Sequence, residues 1–167
     1  MYADFNYYQT EYGRKVIESA DDFNHYARKA KRKIDVITTN KLQFAFPTED
    51  NAVMAVKDCF CELTDFLCQL DRYQSAALES AGTVAQADGT VKGKVVTSIS
   101  SGSESISYSA GGSVDSSIAE AAKDKKVADA MIYGIVKDGL AYIPDANGVN
   151  LLYAGPYPAR KGTYADN

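Results

Sequence analysis

The fold is decided by residues 48–80, TEDNAVMAVKDCFCELTDFLCQLDRYQSAALES. From Val53 onward its apolar residues recur every three or four positions, which is the spacing of a helix with one buried stripe. Thr48 is a candidate N-cap. Glu49 and Asp50 place negative charge in the first turn, where free backbone N–H groups favour it. We therefore predict one long helix, about 45–50 Å at 1.5 Å per residue, around which the chain is organised.

Two shorter helices are predicted before it. In residues 2–12 three aromatic rings share one helical face, namely Phe5, Tyr8 and Tyr12. Ser19 with Asp22 resembles a capping box, which opens a second helix over residues 20–38. The buried face of this helix is predicted to be Phe23, Ala27, Ala30, Ile34 and Ile37. Residues 40–46 are predicted to form a loop or extended piece with the anchors Leu42, Phe44 and Phe46.

A last helix is predicted over residues 118–140, because Ser117 with Glu120 forms another capping box. Its apolar stripe would comprise Ile118, Ala122, Val127, Met131, Ile135 and Val136. The charged run at residues 123–126 interrupts this stripe, so the first turns are expected to be exposed or separate.

A β-hairpin is predicted over residues 94–109, after a small, polar, glycine-punctuated loop at residues 81–93. Apolar residues alternate with smaller ones on both sides of Ser101 and Gly102. One face of the hairpin would comprise Val95, Thr97, Ile99, Ile106 and Tyr108. Because a two-stranded hairpin is barely stable alone in water, we expect neighbouring copies of the chain to supply further strands.

Together these predictions describe a mainly α fold. It is a small helical bundle around one long helix, with a protruding β-hairpin and an extended C-terminal arm. The predicted divisions are residues 1–80 for the N-terminal helices and the long helix, 81–112 for the loop and hairpin insertion, 113–143 for the last helix of the same bundle, and 144–167 for the arm.

Composition excludes several classes of function. The 167 residues are 46% hydrophobic with a net charge of −4, which supports a core and gives no global attraction to nucleic acid or anionic membranes. No apolar run approaches the length of a membrane span, so we expect a soluble, unsecreted protein. Cys59 and Cys61 lie about 200° apart around their helix, so we expect reduced thiols packed as small hydrophobes and no metal site. His25 has no obvious acid or nucleophile partner, so no catalytic residues, cofactor or enzymatic activity are predicted.

A basic run on the second helix comprises Arg28, Lys29, Lys31, Arg32 and Lys33. The leading interpretation is a solvated helix face. The alternative is an electrostatic contact with an acidic neighbour or with passing nucleic acid.

Three stretches together resemble one family. The first is residues 1–38, MYADFNYYQTEYGRKVIESADDFNHYARKAKRKIDVIT, an aromatic segment followed by a capped helix. The second is the serine-rich hairpin VTSISSGSESISYS, and the third is GVNLLYAGP near the C-terminus. In this order, around a long central helix, they resemble the small head–tail connector (adaptor) proteins of tailed bacteriophages.

The resemblance implies a structural ring of about twelve copies, a dodecamer, below the portal protein. Such a ring extends the DNA channel and offers an attachment surface to the next neck or tail protein. Genomic DNA passes through it without sequence-specific binding, and no membrane is involved. The protein would belong to the virion neck and be made in the cytoplasm of the bacterial host.

Carried onto this sequence, the resemblance makes the hairpin the inter-subunit element. The arm that docks on the portal would comprise Leu151, Leu152, Tyr153, Tyr157 and Arg160. Two alternatives stay open at this point. One is another neck, tail-completion or scaffold interaction protein, and the other is a helical protein that binds DNA through its basic run.

Overall fold

The computed structural model describes residues 1–14, 16–80, 83–85, 91–93, 98–101, 104–107 and 113–155. Over these residues the fold is mainly helical, as predicted. The helices are α1 (Phe5–Thr10), α2 (Ala20–Ile37), α3 (Lys41–Phe44), α4 (Asp50–Ser80), α5 (Ser113–Lys123) and α6 (Lys125–Leu140). The strands are β1 (Thr83–Ala85), β2 (Val91–Gly93), β3 (Ser98–Ser101) and β4 (Glu104–Ser107).

The chain divides into two compact units. One consists of Met1–Leu67 with the chain from Ala130 onward, and the other is Cys68–Asp129. Both boundaries lie inside helices, α4 and α6. A continuous helix can belong to two units because its backbone hydrogen bonds cross the boundary without interruption.

The long helix α4 spans 31 residues and begins two residues later than its predicted cap. The carbonyl of Glu49 accepts the first helical hydrogen bond, from the Val53 N–H at 2.9 Å. Glu49 rather than Thr48 therefore holds the capping position, and this detail of the prediction is wrong. The middle of α4 is buried on more than one side, through Val56, Cys59, Phe60, Cys61, Leu63, Thr64, Asp65, Phe66 and Cys68.

The two N-terminal helices follow the sequence pattern. The Asp4 side chain accepts a hydrogen bond from the Tyr7 N–H at 2.8 Å and caps α1. Ser19 caps α2 as predicted, with its hydroxyl accepting from the Asp22 N–H at 3.0 Å. The predicted inner face of α2 is buried at Phe23, Ala27, Ala30 and Ile34, whereas Ile37 is half-buried.

Aromatic rings form the core of the first unit. The rings of Tyr8 and Phe23 lie 5.0 Å apart, and Phe23 meets Phe60 of α4 edge-on at 6.4 Å. Phe5 and Tyr12 stack on either side of Tyr8, at 6.1 and 6.0 Å. The shared aromatic face predicted for the first helix is therefore the surface that joins α1 to α2 and α4.

Residues 40–46 are not the predicted loop or extended piece, because α3 occupies most of them as a single helical turn. The chain turns after α2 at Thr39 and Asn40, whose backbones are in the left-handed region with φ of 52° and 59°. Leu42 is buried and Phe46 is half-buried, as anchors should be. Phe44 is 85% exposed, so its prediction as an anchor is wrong.

The predicted last helix is two helices joined at Asp124. The N–H of Asp124 donates to the Glu120 carbonyl at 2.9 Å and closes α5, while its side chain accepts from the Lys126 N–H at 2.7 Å and opens α6. Aspartate is a strong N-cap and a weak interior helix residue, which explains the break. The predicted cap at Ser117 is wrong, since α5 begins at Ser113.

The buried positions of α5 and α6 also differ from the predicted stripe. Among residues 117–140 they are Ala121, Ala128, Ile132, Val136 and Leu140, so only Val136 of the predicted set is buried. The buried stripe is shifted by about one residue from the predicted one. A Cβ added to Gly139 would lie 2.8 Å from the Cβ of Cys59 in α4.

The strands form two separate antiparallel pairs, β1 with β2 and β3 with β4. The first pair corrects the prediction of a loop over residues 81–93, where Val84 pairs with Lys92. In the second pair Ile99 lies opposite Ile106. Three residues of the predicted hairpin face, Val95, Thr97 and Tyr108, lie outside the described residues.

Candidate functional site

The predicted docking arm begins with a folded turn. Pro144 and Asn150 form an antiparallel bridge, and between them the Asp145 side chain accepts hydrogen bonds from the N–H groups of Asn147 and Val149, at 2.8 and 2.9 Å. Gly148 completes the turn with φ of +77°, a conformation that glycine adopts without steric cost. Residues 144–150 are thus an ordered hairpin-like turn rather than the start of an extended arm.

Lys41 holds the chain that follows this turn. It is only 5% exposed, and its ammonium donates to the carbonyls of Leu151 (3.3 Å) and Tyr153 and to the hydroxyl of Thr39 (3.1 Å). An ammonium has three protons, so these partners satisfy it fully. Burial lowers the pKa of Lys41, and the Asp145 carboxylate opposes that shift.

These contacts correct the predicted docking arm. Leu151 is fully buried in its own chain, and its N–H donates to the Ile143 carbonyl at 2.9 Å. It is therefore a core residue and not a free docking contact. Leu152 is half-buried and Tyr153 is 46% exposed. The two other predicted arm residues, Tyr157 and Arg160, lie outside the part of the chain that the structure describes.

The basic run on α2 separates into a surface stripe and one inner residue. Arg28, Lys29, Arg32 and Lys33 are exposed, and we call them the basic stripe. At 100° per residue, Arg28, Lys29 and Arg32 point away from the buried face, and Lys33 lies at its flank. The stripe therefore presents several cations on one outer side of the helix.

Lys31 differs from the basic stripe, because it is half-buried and forms an ion pair within its own helix. Its ammonium lies 2.6 Å from the carboxylate of Asp35 and 5.0 Å from the ring centroid of Tyr2. Tyr2 and Gln43 also donate hydrogen bonds to Asp35, the latter at 2.8 Å. Burial alone would raise the pKa of Asp35, but the hydrogen bonds from Lys31, Tyr2 and Gln43 outweigh it and lower that pKa.

Carboxylates collect where α1 covers α4. The Tyr7 hydroxyl donates to Asp58 at 2.8 Å, and the Tyr8 hydroxyl donates to buried Asp65 at 2.6 Å. We call the carboxylates at the surface of this region the acidic patch, which comprises Asp4, Glu11, Asp58 and Glu62. Its field reaches the buried thiol of Cys61, whose pKa is raised to about 12 by burial and then by nearby carboxylates, including that of Asp58.

The three cysteines are free and buried, as expected for thiols that pack as small hydrophobes. Burial, followed by the charges of Glu62 and Asp58, raises the pKa of Cys59 to about 12. His25 is exposed, with its ring edge-on to Tyr26 at 5.0 Å. In the part of the chain described, no group of three or more His, Cys, Asp or Glu residues could hold a metal ion, and no helix is long and apolar enough to cross a membrane.

Comparison with known proteins returned nothing: no family model, no curated protein and no solved structure matches this chain. The surfaces described above therefore have to be interpreted from their own geometry.

Two of these features were not predicted from the sequence. The clamp made by Lys41 joins residues 110 and 112 positions apart, and the bond from Tyr8 to Asp65 spans 57 positions. The signal available was weak: a tyrosine-rich first helix facing a long helix whose carboxylates recur at Asp58, Glu62 and Asp65.

Proposed function

We propose that this chain is a structural head–tail connector (adaptor) of a tailed bacteriophage, which forms a ring of about twelve copies under the portal. The ring extends the DNA channel, and its far side is the attachment surface for the next neck or tail protein. The proposal rests on the resemblance described above and on three features of the chain.

The observation that carries the proposal is the pairing of β3 with β4 in a sheet of two strands. Among the described residues each of these strands has one partner, so each has one edge that faces no other strand. Open edges accept further strands, because unpaired N–H and C=O groups are satisfied by strand addition. In a ring, every hairpin has a neighbouring copy beside it, and the hairpin becomes the inter-subunit element.

The second supporting feature is the end of the described chain. Lys41 fixes the backbone as far as Tyr153, which is 46% exposed. The portal-docking arm of this proposal is therefore shorter than the sequence indicated. It begins at Leu152 and Tyr153 and continues through Tyr157 and Arg160.

The third supporting feature is the charge of the chain. Its net charge is −4. A strongly basic channel would retain the duplex through phosphate contacts and counterion release, whereas a net-acidic ring lets it slide. This charge is consistent with a lumen that conducts DNA without binding it.

Two variants test the proposal. In one, residues 95–108 are replaced by a Gly/Ser linker of equal length, and in the other the chain ends after Ala154. Sedimentation velocity over a wide concentration range should show ring-sized assemblies for the native chain and for the truncated one, and monomer for the variant without the hairpin. Circular dichroism should show native helix content in all three, because helices α1 to α6 lie outside both altered segments.

Portal binding separates the two variants further. The truncated ring should assemble and fail to attach to portal rings in a pull-down, because it lacks Tyr157 and Arg160. Assembly of the variant without the hairpin to the same extent as the native chain would contradict the proposal.

A further inference from the structure

The basic stripe concentrates like charge on one helix. Arg28 and Arg32 are four residues apart, as are Lys29 and Lys33. Like charges at this spacing repel by about 0.2–0.5 kcal/mol per pair. The ammonium of Lys29 lies 5.1 Å from the ring centroid of Tyr26, which precedes it on the same helix. The arginines are exposed at the outer side of α2, where a second molecule can reach them.

The acidic patch provides the opposite charge on different elements, α1 and α4. Two of its members are tied to their own chain, since Asp4 caps α1 and Asp58 accepts from Tyr7. Glu11 and Glu62 are exposed. Glu11 is the C-cap of α1, and Glu62 follows Asp58 by one turn of α4. Lys57 is a cation in the same region, with its ammonium 4.8 Å from the ring centroid of Tyr7.

We infer that the basic stripe of one copy docks on the acidic patch of the next copy, as a second contact of the ring. The inference rests on the proposed function for the number of copies. Its argument is charge complementarity between two surfaces that lie on separate elements of the same unit, Met1–Leu67. Because the surfaces differ, the contact can repeat head-to-tail, and such contacts form a ring where the rotation between copies closes.

A symmetric dimer in which each surface met its own copy is disfavoured, because cations would face cations and carboxylates would face carboxylates. A two-fold dimer that paired each stripe with the other copy's patch would use the same charge contact, and the mass of the assembly distinguishes it from the ring. Duplex DNA is the competing occupant of the stripe. A stripe that is used between subunits is neutralised there, and the net charge of −4 leaves the assembled ring acidic.

The experiment uses charge reversal in the full chain. Variant A carries Arg28→Glu and Arg32→Glu, and variant B carries Glu11→Lys and Glu62→Lys. These four residues are exposed, so the substitutions leave the core intact. Each variant alone should associate about tenfold or more weakly than the native chain in low salt, because the contact becomes repulsive. A control with Lys125→Glu and Lys137→Glu has the same net charge as variant A and should associate like the native chain.

Two recovery measurements identify the partner. An equimolar mixture of A and B should associate, since each supplies the charge that the other lacks. A variant with all four substitutions should recover self-association, because its two surfaces have exchanged sign. Recovery of this kind is expected only if the two surfaces meet each other.

Several results would overturn the inference. One is native association by variant A combined with loss of duplex binding in a gel-shift assay, which would assign the stripe to DNA. Another is failure of the fourfold variant to recover while its unfolding midpoint stays native. If the hairpin replacement abolishes assembly and charge reversal does not, the charge contact is wrong and the ring proposal stands. If charge reversal abolishes assembly and hairpin replacement does not, the hairpin ring is wrong and the charge contact stands.

Discussion

Leu151 provides the sharpest test of where the ordered core ends. In the structure its side chain is 0% exposed, although its sequence context is a glycine- and proline-rich tail. If it belongs to the core of its own subunit, Leu151→Ala destabilises the isolated chain. If it is a docking residue for a partner, the same substitution leaves the stability of the isolated chain unchanged.

The magnitude follows from the burial. Leu→Ala removes the equivalent of about three methylene groups, worth about 0.8 kcal/mol each on transfer from water, or about 2.4 kcal/mol. The cavity left behind adds to this, so fully buried leucines lose about 2.7–5 kcal/mol. We expect a decrease of about 3 kcal/mol in the free energy of unfolding for Leu151→Ala. Half-buried Leu152 is the matched control, and Leu152→Ala should lose less than half as much.

The assay is urea unfolding of monomeric protein at low concentration, followed by helical circular dichroism. The midpoint should decrease clearly for Leu151→Ala and only slightly for Leu152→Ala, with similar slopes. Equal, small effects below about 1 kcal/mol for both variants would refute the burial of Leu151 and return it to the docking arm.

Three further predictions concern the first unit, Met1–Leu67 with the chain from Ala130 onward. Gly139→Ala should destabilise the fold by about 1–3 kcal/mol, because its new Cβ would lie 2.8 Å from the Cβ of Cys59. Gly134→Ala, in the same helix, meets nothing within 4 Å and should stabilise the fold by about 0.5–1 kcal/mol. Equal effects of the two substitutions in thermal unfolding would contradict this packing. Ionised Asp35 has a pKa below its ordinary value of 3.8, so the stability it contributes is present above that value and is lost as pH falls through its lower folded value. Asp35→Asn should therefore be less stable at pH 7 and lose less on acidification below pH 4, and parallel pH profiles would contradict the hydrogen-bonded cluster. Cys59 and Cys61 are buried, and their pKa values are raised to about 12. At pH 8 they should react with a thiol reagent only as fast as the protein unfolds. Rapid labelling of the native chain would exclude their burial.

Local signals in the sequence were sufficient for the first two helices. The cap at Ser19 and the apolar spacing from Phe23 to Ile34 involve neighbours within a few turns, so both could be read from the sequence and are confirmed. The break at Asp124 was only partly anticipated, because a charged run predicts exposure but not where a helix restarts. The capping pattern of Ser117 with Glu120 predicts a helix start there, whereas α5 begins at Ser113, which has no Glu or Gln three residues on.

Long-range contacts account for the rest. An apolar run in a glycine- and proline-rich tail has the same sequence whether it packs on its own chain or on a partner, so the sequence alone places Leu151 in the arm. The side chain that binds the backbone of Leu151 is that of Lys41, and nothing in the sequence distinguishes Lys41 from a surface lysine. Lys31 is a mixed case: its ion pair with Asp35 has the local i,i+4 spacing, whereas its contact with the ring of Tyr2 has no local signal.

The number of chains in the native assembly is the measurement that bears most directly on the ring proposal. Native mass spectrometry of the full chain, at increasing protein concentration, should show one large closed species of about twelve subunits with few intermediates, because a head-to-tail ring gains its last contact only on closure. A monomer or a simple dimer at every concentration would contradict the ring.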